Sequence, residues 1–182
     1  MDEQLEFVKL VVSRLESAGI PYMMTGSMAM SIYAVPRMTR DVDFVIECTP
    51  DDASRIAEMF KADCYIDEAS VRKAAREHST FNIIHNEWIT KADFIVRKDE
   101  EYRELEFGRR QSIDIGDVSV FVVRPEDLIL SKLSWSMNGD SELQLRDATS
   151  LCASASNLDW EYLNEWAAVL GIAGLLERAR SA

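Results

Sequence analysis

The sequence predicts an α/β (α+β) chain, a mixed-sheet core followed by a C-terminal helical extension. Two observations carry this. Over the first two thirds of the 182 residues, short alternating runs such as DVDFVIE and KADFIVR are interleaved with helical patterns. From Pro125 onward only helical periodicity remains. Interleaved strands and helices bury their apolar faces on one another as a layered core, whereas helices alone form a bundle or a cover. The predicted division is a core at 1–124 and a helical region at 125–182 packed on it.

The elements follow in order. Leu5, Val8, Val12 and Leu15 recur at helical spacing until Gly19 and Pro21 stop the pattern. IPYMMTG reads as a short strand entering a turn, and SMAMSIYA as a helix beginning at Ser27. DVDFVIE is a strand. After it Thr49 can cap a helix, with Pro50 at its first position and Asp51 and Asp52 at its positive end. Between Cys64 and His85 the pattern suggests a short strand, a helix near Val71 to Arg76 and a strand in FNIIH. KADFIVR is a strand, DEEYRELEF a short helix, and QSIDIGDVSVFVV a hairpin turning at Gly116-Asp117. Helices are expected in PEDLILSKLSWSM, SELQLRDATSLCASA and LDWEYLNEWAAVLG, with a short one at the end.

Composition narrows the classes of function. Apolar residues make up 47% and charged residues 29%, ordinary values for a globular protein. No apolar run approaches the ~18 residues that span a bilayer, and the acidic start MDEQLEFVKL lacks the features of a signal peptide. A cytoplasmic protein without membrane contact is expected. Cys48, Cys64 and Cys152 form no CxxC pair, and His78 and His85 have no metal-ligand spacing. The net charge of −12 argues against a broad nucleic-acid-binding surface but not against a local phosphate grip.

The unusual feature is Asp41-Val42-Asp43 inside an apolar strand. Strand side chains alternate faces, so both carboxylates share one face while Val42, Phe44 and Ile46 take the other. Carboxylates about 7 Å apart repel, so a cation must neutralise them or one must be protonated. Asp93, in KADFIVR, repeats the pattern and would complete an oxygen-rich pocket suited to Mg²⁺. Upstream, Gly26-Ser27 stands at a helix start, where a phosphate can approach free N–H groups and the positive dipole end. A phosphate grip beside a magnesium cluster suits chemistry on a nucleoside triphosphate.

The stretch TGSMAM…TRDVDFVIE resembles the signature of the DNA polymerase β-like nucleotidyltransferase superfamily, with KADFIV as its third acidic strand. RPEDLILSKLSWSM and SELQLRDATSL further resemble small prokaryotic nucleotidyltransferases of the AbiEii-like and minimal types. The resemblance implies that Gly26 and Ser27 hold nucleotide phosphates. It also implies that Asp41, Asp43 and Asp93 bind Mg²⁺, two ions with NTP present, and that Asp93 serves or orients the base for an acceptor hydroxyl.

Arg37, Arg40 and Lys132 are candidate phosphate partners, although Lys132 could equally be a solvated helix lysine. Arg109 and Arg110 are expected at the surface, Arg146 and Asp147 as a local ion pair, and Trp135, Trp160 and Trp166 in the helical core. The acceptor remains open among an RNA 3′ end, a protein such as a cognate antitoxin, and a small molecule such as an antibiotic. The resemblance leans towards a toxin–antitoxin or phage-defence role. A nucleotide-binding or interaction module without turnover is the competing class.

Overall fold

The structure is a computed structural model that describes residues 2–36, 39, 41–137 and 141–181. The chain divides into two compact units, one of Met1–Met28 and Met38–Val122, the other of Ala29–Arg37 and Val123–Ala182. The second unit thus joins the chain from Val123 to the segment Ala29–Arg37. Among the described residues no helix is long and apolar enough to cross a membrane.

The first unit is built on a mixed seven-stranded sheet. Its strands are β1 (Tyr22–Thr25), β2 (Asp41–Ile46), β3 (Cys64–Tyr65), β4 (Thr80–His85), β5 (Lys91–Val96), β6 (Gln111–Ile115) and β7 (Val118–Val122), in the order β3-β4-β5-β2-β1-β7-β6. The pairs β2–β5 and β1–β7 are parallel and the others antiparallel. The helices of this unit are α1 (Asp2–Ser17), α3 (Ala53–Phe60), α4 (Glu68–Glu77) and α5 (Glu101–Gly108), while α2 (Gly26–Tyr33) starts here and runs into the second unit.

Side-chain alternation decides which face is core. In β2 and β5 alike, every second residue is buried: Val42, Phe44 and Ile46 in one, Ala92, Phe94 and Val96 in the other. Phe94 stacks on Phe44 at 5.8 Å and on Phe81 of β4 at 5.0 Å. Each such buried ring contributes about 1.5–3 kcal/mol. A slip by one residue would drive these rings out and the intervening carboxylates in, so the aromatic layer also sets what the opposite face displays.

Local signals account for the connections. The expected helix after Thr49 begins as a 3₁₀ turn, Pro50–Asp52, before α3. Asp52 accepts hydrogen bonds from the Thr49 N–H and hydroxyl, both at 2.8 Å. Asp67 caps α4 by accepting from the N–H groups of Ala69 and Ser70. The hairpin turns at Gly116 with Ile115 opposite Val118, as its sequence predicts.

The second unit holds α6 (Pro125–Ser136), α7 (Ser141–Ser154), α8 (Trp160–Val169) and α9 (Ala173–Ser181). Its apolar interior includes Leu128, Leu133, Leu151, Leu163 and Leu176. Two buried acids of α6 tie it to the start of α8: Glu126 accepts from the Asp159 N–H at 3.0 Å, and Asp127 accepts from the Tyr162 hydroxyl at 2.5 Å. Trp135, Trp160 and Trp166 are half-buried instead of central, and Arg180 lies over the Trp160 ring at 4.5 Å.

Candidate functional site

The sheet brings Asp41, Asp43 and Asp93 onto one face. β2 and β5 run parallel, with Asp43 directly opposite Asp93 and Asp41 directly opposite Lys91. The result is a two-by-two array of three carboxylates and one ammonium on strands roughly 5 Å apart. All four residues are partly exposed, while their sequence neighbours are buried on the other side. Like charges directly opposite one another destabilise a sheet. One cation that faces these aspartates is Lys91, whose Nζ lies 2.8 Å from Asp93 Oδ2.

Lys91 is the residue that sequence reasoning missed. Its signal was present, because a side chain two positions before Asp93 must share its face. The hydrogen bond to Asp93 holds the Lys91 ammonium above the ordinary lysine range; burial opposes this, and the fields of Asp93, Asp41 and Asp43 reinforce it.

Gly26 has a more specific role than its helix-start position suggests. Its φ is +66°, a region that L side chains rarely adopt. A Cβ built there would lie 1.9 Å from Asp43 Oδ2 and 2.9 Å from Asp43 Cβ. Glycine is therefore what allows Asp43 to lie against the chain where β1 ends and α2 begins. Thr25, opposite Asp43 on β1, is buried beside it, and Ser27 is buried in the first turn of α2. On the other side Asn82 of β4 is opposite Asp93 and, with Tyr65, Asp67, Ser70, Thr80 and Phe81, lines an open depression of about 250 Å³.

The other predicted cations are disposed differently. Arg37 and Arg40 lie outside the described residues. Lys132 is no solvated helix lysine: it is 1% exposed, 2.6 Å from Asp147 Oδ2 and 3.2 Å from Gln144 Oε1. Asp147, expected beside Arg146, thus faces α6. Arg110 is half-buried, not a surface residue: it lies over the Phe107 ring at 4.2 Å and donates to the Phe107 carbonyl. The cysteines are free, and burial pushes the Cys64 thiol up to about 12.

The donor chemistry suits Mg²⁺, since three hard oxygen donors share a face that already holds a cation. The carboxylates do not form a closed cage: among the described residues no three His, Cys, Asp or Glu side chains are grouped to hold a metal ion.

Comparison with solved structures settles the fold. The chain superposes on ANT(2″)-Ia in complex with adenylyl-2″-tobramycin with a TM-score of 0.62 at 13% identity, covering 99% of both chains. It has the nucleotidyltransferase fold. An antigenic nucleotidyltransferase-like protein from Paracoccidioides brasiliensis matches with a TM-score of 0.57 at 18% identity, over 99% of this chain and 93% of that one. The lincosamide antibiotic adenylyltransferase LnuA, lincomycin-bound, matches at 0.51 and 11% identity, over 83% of this chain and 96% of that one. No protein-family model and no curated protein sequence matches the chain.

Proposed function

We propose that this protein is a Mg²⁺-dependent nucleotidyltransferase that moves a nucleoside monophosphate from an NTP to an acceptor hydroxyl and releases pyrophosphate. The observation that carries the reading is the three-carboxylate face beside the Gly26–Ser27 helix start. Asp41, Asp43 and Asp93 hold the metal, two ions when NTP is present. When bound, it supplies charge for the triphosphate and acidifies the acceptor hydroxyl. Gly26 and Ser27 offer backbone N–H groups and a helix N-terminus to the phosphates. Asp93 accepts the acceptor's proton as the acceptor oxygen bonds to the α-phosphorus and the bond to the pyrophosphate oxygen breaks. Arg37 and Arg40 neutralise polyphosphate.

Two acceptor classes have separate support. The resemblance to AbiEii-like and minimal nucleotidyltransferases favours an RNA 3′ end or a protein, in a toxin–antitoxin or phage-defence setting. The net charge of −12 favours a cationic small molecule. That class is in keeping with structural neighbours seen with an adenylylated tobramycin and with lincomycin.

The test is to incubate the protein with each α-³²P-labelled NTP, Mg²⁺, a host lysate and, separately, aminoglycosides and lincosamides. The Asp41→Asn/Asp43→Asn double variant runs beside it. Label in RNA, protein or drug that requires both aspartates names the acceptor class. Label that persists in the folded double variant would remove the aspartates from the mechanism. Metal-dependent NTP binding without transfer to anything would favour the module without turnover.

A further inference from the structure

We propose that Lys91 is a built-in counter-cation of the carboxylate face, holding Asp93 while no metal is bound and releasing it when a divalent cation arrives. The inference rests on the nucleotidyltransferase reading, because it takes Asp41, Asp43 and Asp93 as metal ligands. Three observations carry it. Lys91 is in register with Asp41 on the neighbouring parallel strand and two residues before Asp93, so it shares a face with all three acids. Its Nζ is already bonded to Asp93 Oδ2 at 2.8 Å. The pair is neither sealed nor fully solvated, with side chains 33% and 26% exposed, so the ammonium can move into water without opening the core.

The competition follows from the donor count. An ammonium bonded to Asp93 uses an oxygen lone pair that a metal would need, and two cations held by the same carboxylates repel. The array sets two carboxylates, Asp43 and Asp93, directly opposite each other, and Lys91 offsets part of that charge. Among the strand residues in register with it on this face of β3, β4, β5, β2 and β1, Lys91 is the one basic side chain. By holding an Asp93 oxygen, Lys91 sets a threshold that a lone metal ion must exceed. A metal ion bound to a triphosphate, drawn in also at the Gly26–Ser27 end, exceeds it more easily.

The experiment is a Mn²⁺ titration of the full chain, reading free Mn²⁺ by electron paramagnetic resonance. It is run without nucleotide and with a non-hydrolysable ATP analogue, on wild type, Lys91→Met and Lys91→Arg. Without nucleotide, Lys91→Met should bind Mn²⁺ roughly tenfold more tightly, the scale of one partly exposed charged hydrogen bond removed from competition. Lys91→Arg, which keeps the charge, should stay close to wild type. Thermal unfolding supplies a second readout: metal-free Lys91→Met melts below wild type, and Mn²⁺ closes the gap. Equal or weaker Mn²⁺ binding by Lys91→Met would overturn the counter-cation role and make Lys91 an ordinary strand partner that positions Asp93. Failure of folded wild type to bind Mn²⁺ even with the ATP analogue would instead overturn the metal-dependent transferase reading itself. If Lys91→Met does not fold, Lys91→Gln carries the same expectations.

Discussion

Replacing Gly26 by alanine tests how the junction of β1 and α2 makes room for Asp43. Two costs are separable. Holding alanine at φ +66° costs about 1–2 kcal/mol, because Cβ crowds the following carbonyl. The second cost is steric: the added methyl would lie 1.9, 2.6 and 2.9 Å from Asp43 Oδ2, Cγ and Cβ. Rotating the carboxylate relieves the first two contacts but not the third, so β2 or the β1–α2 junction must also shift, at a cost of about 1–3 kcal/mol. The expected loss is about 2–5 kcal/mol, seen as a urea midpoint lowered by roughly 1–2.5 M at an m-value near 2 kcal/mol/M. Gly19→Ala isolates the backbone cost, because Gly19 has φ +63° with nothing within 4 Å of a built Cβ. That variant should lose only about 1–2 kcal/mol. Gly26→Ala should also lose transfer activity while still folded, since Asp43 has been moved. Equal midpoints for the two variants, with Mn²⁺ binding by Gly26→Ala unchanged, would refute the idea that Gly26 exists to admit Asp43.

Other perturbations follow from buried and half-buried charge. Lys132→Met leaves Asp147 buried without its ammonium and should cost about 3–5 kcal/mol in thermal unfolding, whereas Lys132→Met/Asp147→Leu should recover most of that loss. A double variant as unstable as the single one would mean that the pair is not what makes the charge tolerable. Arg14 grips both Asp63 oxygens, at 2.7 and 2.5 Å, and this hydrogen bonding holds the Asp63 carboxyl below its ordinary range against the opposing effect of burial. A depressed carboxylate stabilises the fold above its unfolded pKa of about 3.9 and loses that contribution as pH falls through the lower folded value. Wild type should therefore lose more stability than Asp63→Asn on acidification from pH ~5 to ~2. With Asp63 32% exposed the difference should be under about 1 kcal/mol, and chemical denaturation at several pH values measures it.

Local chemistry accounts for how much was legible in advance. The strands DVDFVI and KADFIV, the hairpin at Gly116 and the helices from Pro125 each carry a period or a turn residue that acts over a few positions. Asp41 and Asp43 shared a face on the same ground, since a strand alternates whatever its neighbours are. Lys91 obeys the same rule, since it stands two positions before Asp93 on β5. The disposition of Lys132 and Arg110 was less accessible, because a cation's partner lies on another element: Asp147 is 15 positions away from Lys132, and Phe121 stacks on Arg110 from across the hairpin.

By itself, then, the sequence determined the element types, the mixed core with its helical extension, and three aspartates on strand faces turned away from the apolar layer. Only the tertiary structure decided that β5 lies parallel to β2, with Asp93 opposite Asp43 and Lys91 opposite Asp41. It alone showed that Gly26 makes room for a carboxylate. The physical reason is range. Periodicity and capping act between residues a few positions apart, whereas strand register is chosen by the packing of Phe44, Phe94 and Phe81 on the far side of the sheet, and that packing decides which charges meet on the near side.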